Sequence, residues 1–463
     1  MIFKAFFDRI KLSWSLYLKQ LKANMSLKYR RVLYIIFFLI FFITAPLVIL
    51  MAEGYRYNFK KRTMEKTGVL FLESKPDKAK IFLNGKEQKD TTEARIKNLL
   101  PGEYLVELKK QDYNGWQKKL TVYPNQTTFA QYVRLFKENP AVEKIWPHKI
   151  ILASEPTEKS VALLYFEEEK YQLALLDLDK AEVRPILELN FKPDKISISP
   201  TEQYIAFNKK QRLFVFDTLA KKIINLEDLI TGEISAWHWS KQNNSENLLM
   251  VAEQKIKRLD LALNKTSNLA TENPVIDCWA DKNQLFYLSR EKEEIIIKKS
   301  EFLDNNDTLN IKGLPLSSNY EISGMINEYI LIRETKNKIL YLINSADLTE
   351  KIKVFPEVEY VAINNQDILM GNQWEFSVYN IKDKEEKIIT RLSQTINQAR
   401  WYPVPTHVVF ATGEEIKVIE TLVGEKVQIN LINNYPAKMI FINQDGDRLY
   451  FSDDNNLYQA LIE

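Results

Sequence analysis

Side-chain catalysis needs a few reactive groups brought to one place, and this chain of 463 residues offers few candidates. Its three histidines, His148, His238 and His407, lie far apart, and none has a second His or Cys at the spacing of a metal site. No serine sits in a nucleophile elbow and no glycine-rich loop could cradle a phosphate, so acyl transfer and nucleotide binding lack a signature. The single cysteine, Cys278, excludes an internal disulfide and reads as a small buried apolar residue. INQDGDR, with Asp445 and Asp447, looks superficially like a calcium loop. It lacks the spaced third carboxylate and the terminal Glu of such loops, so it reads as a polar turn. Trp237, Trp239, Trp279, Trp374 and Trp401 carry faces on which sugars stack, but aromatic residues at a repeating position read as core. No catalytic residue, cofactor or metal is expected.

The elements that would position any such groups begin with a membrane segment. Val32 to Ala52, VLYIIFFLIFFITAPLVILMA, is 21 residues without a charge, enough to cross a hydrocarbon core about 30 Å thick. A cleavable signal peptide would have a shorter apolar region and small residues before the cut, whereas Leu50 stands where one would be needed. Residues 1–31 hold eight Lys/Arg against one acid, a local net of +7, which predicts a cytoplasmic N-terminus and everything after Ala52 outside. Phe3, Phe7, Ile10, Trp14, Tyr17 and Leu21 recur at helical spacing, so residues 1–31 read as a basic amphipathic segment on the lipid surface. A start at Met25 instead would leave a short basic stub. From residue 145 onward 37 bases face 48 acids, net −11, which argues against a nucleic-acid partner. The partners expected are the bilayer, through Val32–Ala52, and an envelope protein or polysaccharide.

After a connector over 53–66, GVLFLESKP, AKIFLNGKEQ, GEYLVELKKQ and KKLTVYP read as short strands separated by turns. Asn84 and Gly85 suit the positive φ angles of a two-residue hairpin turn, and Pro101–Gly102 fits another tight turn. The order KPDKA, IFLNGK, LLPGEYLVELKK, DYNGWQKKLTV resembles a PEGA domain, a small β-sandwich of envelope and surface proteins, over residues 67–136. The resemblance rests on Pro76, Ala79, Asn84, Gly85, Pro101, Gly102, Tyr104, Tyr113 and Trp116. Two of the family's glycines are replaced, by Lys78 and Asp112, so Lys78 is expected in a turn of another type while Asp112 tolerates left-handed geometry.

From about residue 145 to 463 one pattern returns, a strand ending in a bulky residue, a polar turn, then two or three further strands. The anchors Ile198, Trp239, Trp279, Met325, Ile363, Trp401 and Phe441 stand 41, 40, 46, 38, 38 and 40 residues apart. Four short strands at that period is the pattern of a β-propeller blade. An extra unit before Ile198 makes eight, and the last unit is one strand short, so AVEKIWPHK is the expected donor of the closing strand. The turns ISPTEQ, WSKQN and WYPVP resemble degenerate turns of WD40-like and TolB-like envelope propellers. The expected fold is all-β apart from an N-terminal transmembrane helix, with a small PEGA-like β-sandwich and a seven- or eight-bladed β-propeller. The expected role is non-catalytic binding or scaffolding by a membrane-anchored envelope protein. The alternative is a hydrolase or lyase acting on an envelope polymer in the propeller channel.

Overall fold

The computed structural model describes residues 27–224, 226, 229–230, 232–242, 245–269, 273–281, 283–301, 308–422 and 427–463. The amphipathic stripe from Phe3 to Leu21 lies outside the described residues. By its contacts the chain divides into two units, one of residues 1–106 and 119–131, the other of 107–118 and 132–463.

In the smaller unit a helix, α1, runs from Leu27 to Ala52 with Pro46 inside it. At 1.5 Å per residue it is about 39 Å long, and its apolar side chains from Val32 onward are bare, as lipid would require. By length and composition it fits a membrane anchor or a signal sequence. Gly54, at φ 87°, terminates it, and the Met51 carbonyl accepts the Gly54 amide at 3.3 Å and Arg56 Nη1 at 2.9 Å. The stretch read as a plain connector is a hairpin instead, Tyr55–Asn58 against Thr63–Lys66. Its turn is held by Asn58, whose Oδ1 accepts the Lys60 and Lys61 amides, a side-chain turn that a reading for apolar alternation passes over.

Two small sheets follow. One has Gly68–Lys75 between Ala94–Leu99 and Thr127–Arg134; the other has the order Lys86–Thr91, Lys80–Leu83, Gly102–Lys109, Trp116–Val122. Alternation places Leu70, Leu72, Ile81 and Val106 fully inside. Lys80–Leu83 turns directly into Lys86–Thr91 through Asn84 at φ 49° and Gly85 at φ 78°. Lys78 departs from expectation: it keeps the left-handed conformation, at φ 60°, and its amide donates to Thr92 O at 2.6 Å. A lysine is held where glycine would fit without strain, because the neighbouring pairing dictates the backbone.

The larger unit holds eight four-stranded antiparallel sheets among the described residues. Their first strands are Ile150–Ala153, Lys195–Ile198, Ile234–Gln242, Val275–Asp281, Tyr320–Ile326, Tyr360–Asn364, Ile396–Trp401 and Met439–Ile442. Seven of the sheets are simple meanders, and the eighth takes its outer strand from Val142–Trp146, three residues ahead of the start read from the sequence. Both faces of each sheet are apolar because each must pack on two neighbours. Ala162 and Leu164 of sheet one pack with Ile205 and Phe207 of sheet two. Ala206 of sheet two packs with Leu248 and Met250 of sheet three. The alternation continues around to sheet eight, where Phe441 and Tyr450 pack with Val161 and Leu163 of sheet one. A core shared between the last and first sheets closes the series into a ring, the arrangement of a β-propeller. Among the described residues the chain is thus nearly all-β, with one N-terminal helix.

A candidate binding cleft on the ring

All seven anchors fall in first strands. Ile198, Phe441 and Trp237 are buried, while Trp239, Trp279, Met325, Ile363 and Trp401 are partly buried and pack against cores between sheets. Trp401 Nε1 also donates to Ala362 O of the preceding sheet at 3.1 Å. Trp374 is the exception: it stands 46% exposed in a turn rather than in the core, because it lies outside the repeating strand position.

In the small sheets the motif residues serve the backbone. Pro76 follows a cis peptide bond, and the buried Ala79 amide donates to Thr92 Oγ1 at 2.9 Å. Pro101 leads into Gly102 at φ 150°, and Tyr104 Oη donates to Leu100 O at 2.9 Å. In the larger unit Tyr113 bridges to Lys137. Trp116, also there, is buried, its Nε1 donating to Glu420 Oε2 at 3.3 Å, and Lys118 Nζ meets Glu420 Oε1 at 3.1 Å. Asp445 and Asp447 sit around a turn in which Asn443 Nδ2 donates to Asp447 Oδ1 at 2.7 Å, with Gly446 at φ 78°. Among the described residues no three His, Cys, Asp or Glu side chains come together as a metal set.

The histidines do not converge. His148 stacks on Tyr165 with its centroid 5.0 Å away, and Glu167 Oε1 lies 3.2 Å from its Nε2. His407 is buried, with Nδ1 2.9 Å from Thr406 Oγ1; burial, then the Arg134 and Lys118 charges, depress its pKa to about 3. His238 is different, because it lines a cleft of about 580 Å³.

That cleft is built by the meander itself. In each sheet the second strand runs back beside the first, so the turn between strands two and three returns to the level where strand one begins. Lys195 therefore pairs with Asn208, Val275 with Ser289 and Tyr320 with Glu334. First-strand starts and second turns of sheets two to five thus face one end of the ring, and the cleft lies across them. Its floor is Asp277, 2% exposed and thrust inward where the ladder slips between Val275 and Asp277. Asp277 Oδ1 lies 2.9 Å from His238 Nε2 and accepts the Cys278 amide at 2.9 Å; Oδ2 accepts the Ile322 amide of sheet five at 2.8 Å. One carboxylate thus ties three consecutive sheets together, and its burial is compensated by these donors. Gln398 does the same between sheets seven and eight, accepting the Ile440 amide at 2.6 Å after an equivalent slip. The His238 ring meets anchor Trp279 edge-on at 5.1 Å. Asp277 was not singled out in the sequence; an acid inside the otherwise apolar VIDCWA was the available signal. Cys278 beside it is fully buried, and burial followed by the Asp277 charge pushes its thiol well above the usual range, so it is inert.

Among curated proteins none matches this chain. Three similar solved structures illustrate its resemblances. A chain from the crystal structure of the mitotic checkpoint complex has 11% identity and TM-score 0.43, covering 70% of this chain and 92% of that one. Oligogalacturonate lyase in complex with manganese has 9% identity and TM-score 0.38, covering 71% and 96%. PorZ, an essential bacterial surface component of the type-IX secretion system of Porphyromonas gingivalis, has 12% identity and TM-score 0.39, covering 67% of this chain and 42% of that one. Residues 67–136 match the PEGA domain.

Proposed function

We propose that this is a single-pass, membrane-anchored cell-envelope protein whose ring binds a partner or envelope polymer without transforming it. Residues 1–31 stand in the cytoplasm on this reading, by their charge of +7, and everything beyond Ala52 stands outside. The observation that carries the binding role is the partnering of His238. A histidine oriented by a carboxylate for catalysis presents its other ring nitrogen to a nucleophile. Here both Asp277 oxygens are taken by His238 and by amides of sheets four and five, and no hydroxyl or thiol among the described residues hydrogen-bonds His238. The pair braces the ring and leaves an open, polar cleft above it, the geometry of recognition more than of turnover.

The test pairs binding with turnover. Full-length protein in detergent is mixed with polysaccharide extracted from the envelope of the producing cell, and both co-sedimentation and newly formed chain ends are measured. Saturable co-sedimentation with no new ends is the expected result. New chain ends that disappear on His238→Ala would replace the binding reading with the catalytic one.

A further inference from the structure

The charged groups lining this cleft differ in how they are paired. From residue 145 onward the chain is net −11, yet the acids at this cleft are internally satisfied: Asp277 is taken by His238 and two amides, and Glu321 by Arg333, whose Nε donates to it at 2.9 Å. The cations are not. Lys195 packs its ammonium over the Trp237 ring, 4.7 Å from the centroid, and neither it nor the exposed Arg290 has a carboxylate at ion-pair distance among the described residues. Resting on the binding reading above, we propose that this cleft is a site for a carboxylate-bearing glycan, a uronate segment of an acidic polysaccharide.

Three features choose that chemistry. Two cations without counter-ions, set in a concave surface, focus a positive field and favour an anion. Arg290 offers the planar fork that matches a carboxylate, and Lys195 a second point of charge held in place by the indole. The remaining polar lining consists of amides and hydroxyls, among them Gln254, Asn319 and Ser318, which suit the hydroxyls of a sugar ring. Trp237 and Tyr320, 6% and 5% exposed, are too covered to offer the open apolar pockets that peptide side chains fill. The charges rest on a braced floor, so the site is preorganised: Lys195 opens sheet two, Arg290 lies one residue before the end of the second strand of sheet four, and Asp277 ties sheets three, four and five together.

The experiment is titration calorimetry on the full chain in detergent with three probes: hexagalacturonate, the neutral galactose hexamer and poly-glutamate. Hexagalacturonate is expected to bind at one site per chain, at least tenfold tighter than either other probe and more weakly as salt rises. Lys195→Gln and Arg290→Gln are each expected to weaken it about tenfold, and both are exposed surface changes that leave the fold intact. Lys382→Gln, an exposed cation of sheet six away from the cleft, is expected to change nothing. Equal affinity for the neutral hexamer, tighter binding of poly-glutamate, unchanged affinity in both cleft variants, or no binding of hexagalacturonate would each overturn the site. The same samples are assayed for chain scission. Scission would overturn the non-catalytic reading while leaving the anionic site standing, whereas absent binding without scission would remove the site alone.

Discussion

Acidification from pH 7 to pH 5 is expected to weaken the larger unit through His407, a group with no part in the cleft. The imidazole is 5% exposed, edge-on to Phe136 and Tyr402 with centroids 6.0 Å away, and its pKa is depressed from 6.5 to about 3 by burial, then by Arg134 and Lys118. Nearby acids do not offset this, since Glu420 is paired with Lys118 and Glu463 with Arg134. A base with a depressed folded pKa stabilises the fold fully above the unfolded value, and that stability is lost as pH falls from 6.5 towards 3, because the unfolded chain binds the proton first. Each pH unit in that window is worth about 1.4 kcal/mol, so pH 5, 1.5 units below 6.5, costs about 2 kcal/mol. The assay is urea unfolding followed by tryptophan emission at both pH values, for the natural chain and for His407→Gln. The glutamine variant loses packing at both values but has no proton to bind, so its loss between pH 7 and 5 should be about 2 kcal/mol smaller. Parallel losses in the two proteins would refute the argument that burial holds His407 neutral.

Three further substitutions probe the packing. Glu420→Ala should destabilise the larger unit by about 3 to 5 kcal/mol, because it strands Lys118, 7% exposed, and the Trp116 indole without a partner; Lys118→Met with Glu420→Leu should recover part of that in the same unfolding assay. Gly446→Ala should lose about 2 to 4 kcal/mol, since its backbone is at φ 78° and the new carbon would lie 2.1 Å from Tyr402 Oη; adding Tyr402→Phe should shrink the loss. Lys78→Gly should raise the stability of the small sheets by up to about 1 kcal/mol by relieving φ 60°, read from amide hydrogen exchange of strand Lys80–Leu83.

The repeat was legible because a sheet buried on both faces must recur at fixed phase. Seven bulky anchors at intervals near forty therefore located seven first strands, and a last unit one strand short pointed to a donor before residue 150. Asn84–Gly85 was legible because two successive positive φ angles admit few residues. The hairpin at Tyr55–Asn58 was not, because it has no apolar face and is set by one Asn side chain. Lys78 was read from its residue type, whereas its conformation is imposed by hydrogen bonding to Thr92, a long-range partner. The cleft was the least legible feature. Lys195, His238, Asp277 and Arg290 are dispersed over almost a hundred residues, and only the return of each second strand to the start of the first brings them to one end of the ring. Trp374 shows the converse limit, an aromatic residue counted with the core that has no place in the repeat and stands in water.

In the proposed function α1 anchors the ring outside the cytoplasm. The most direct measurement is protease shaving of intact cells, with outer permeability barriers opened where present, expressing the chain with a C-terminal epitope tag. Rapid loss of the tag, with a cytoplasmic control protein untouched and a fragment containing residues 1–52 retained in the membrane, is the predicted result. A tag that survives until the cytoplasmic membrane is lysed would contradict the account.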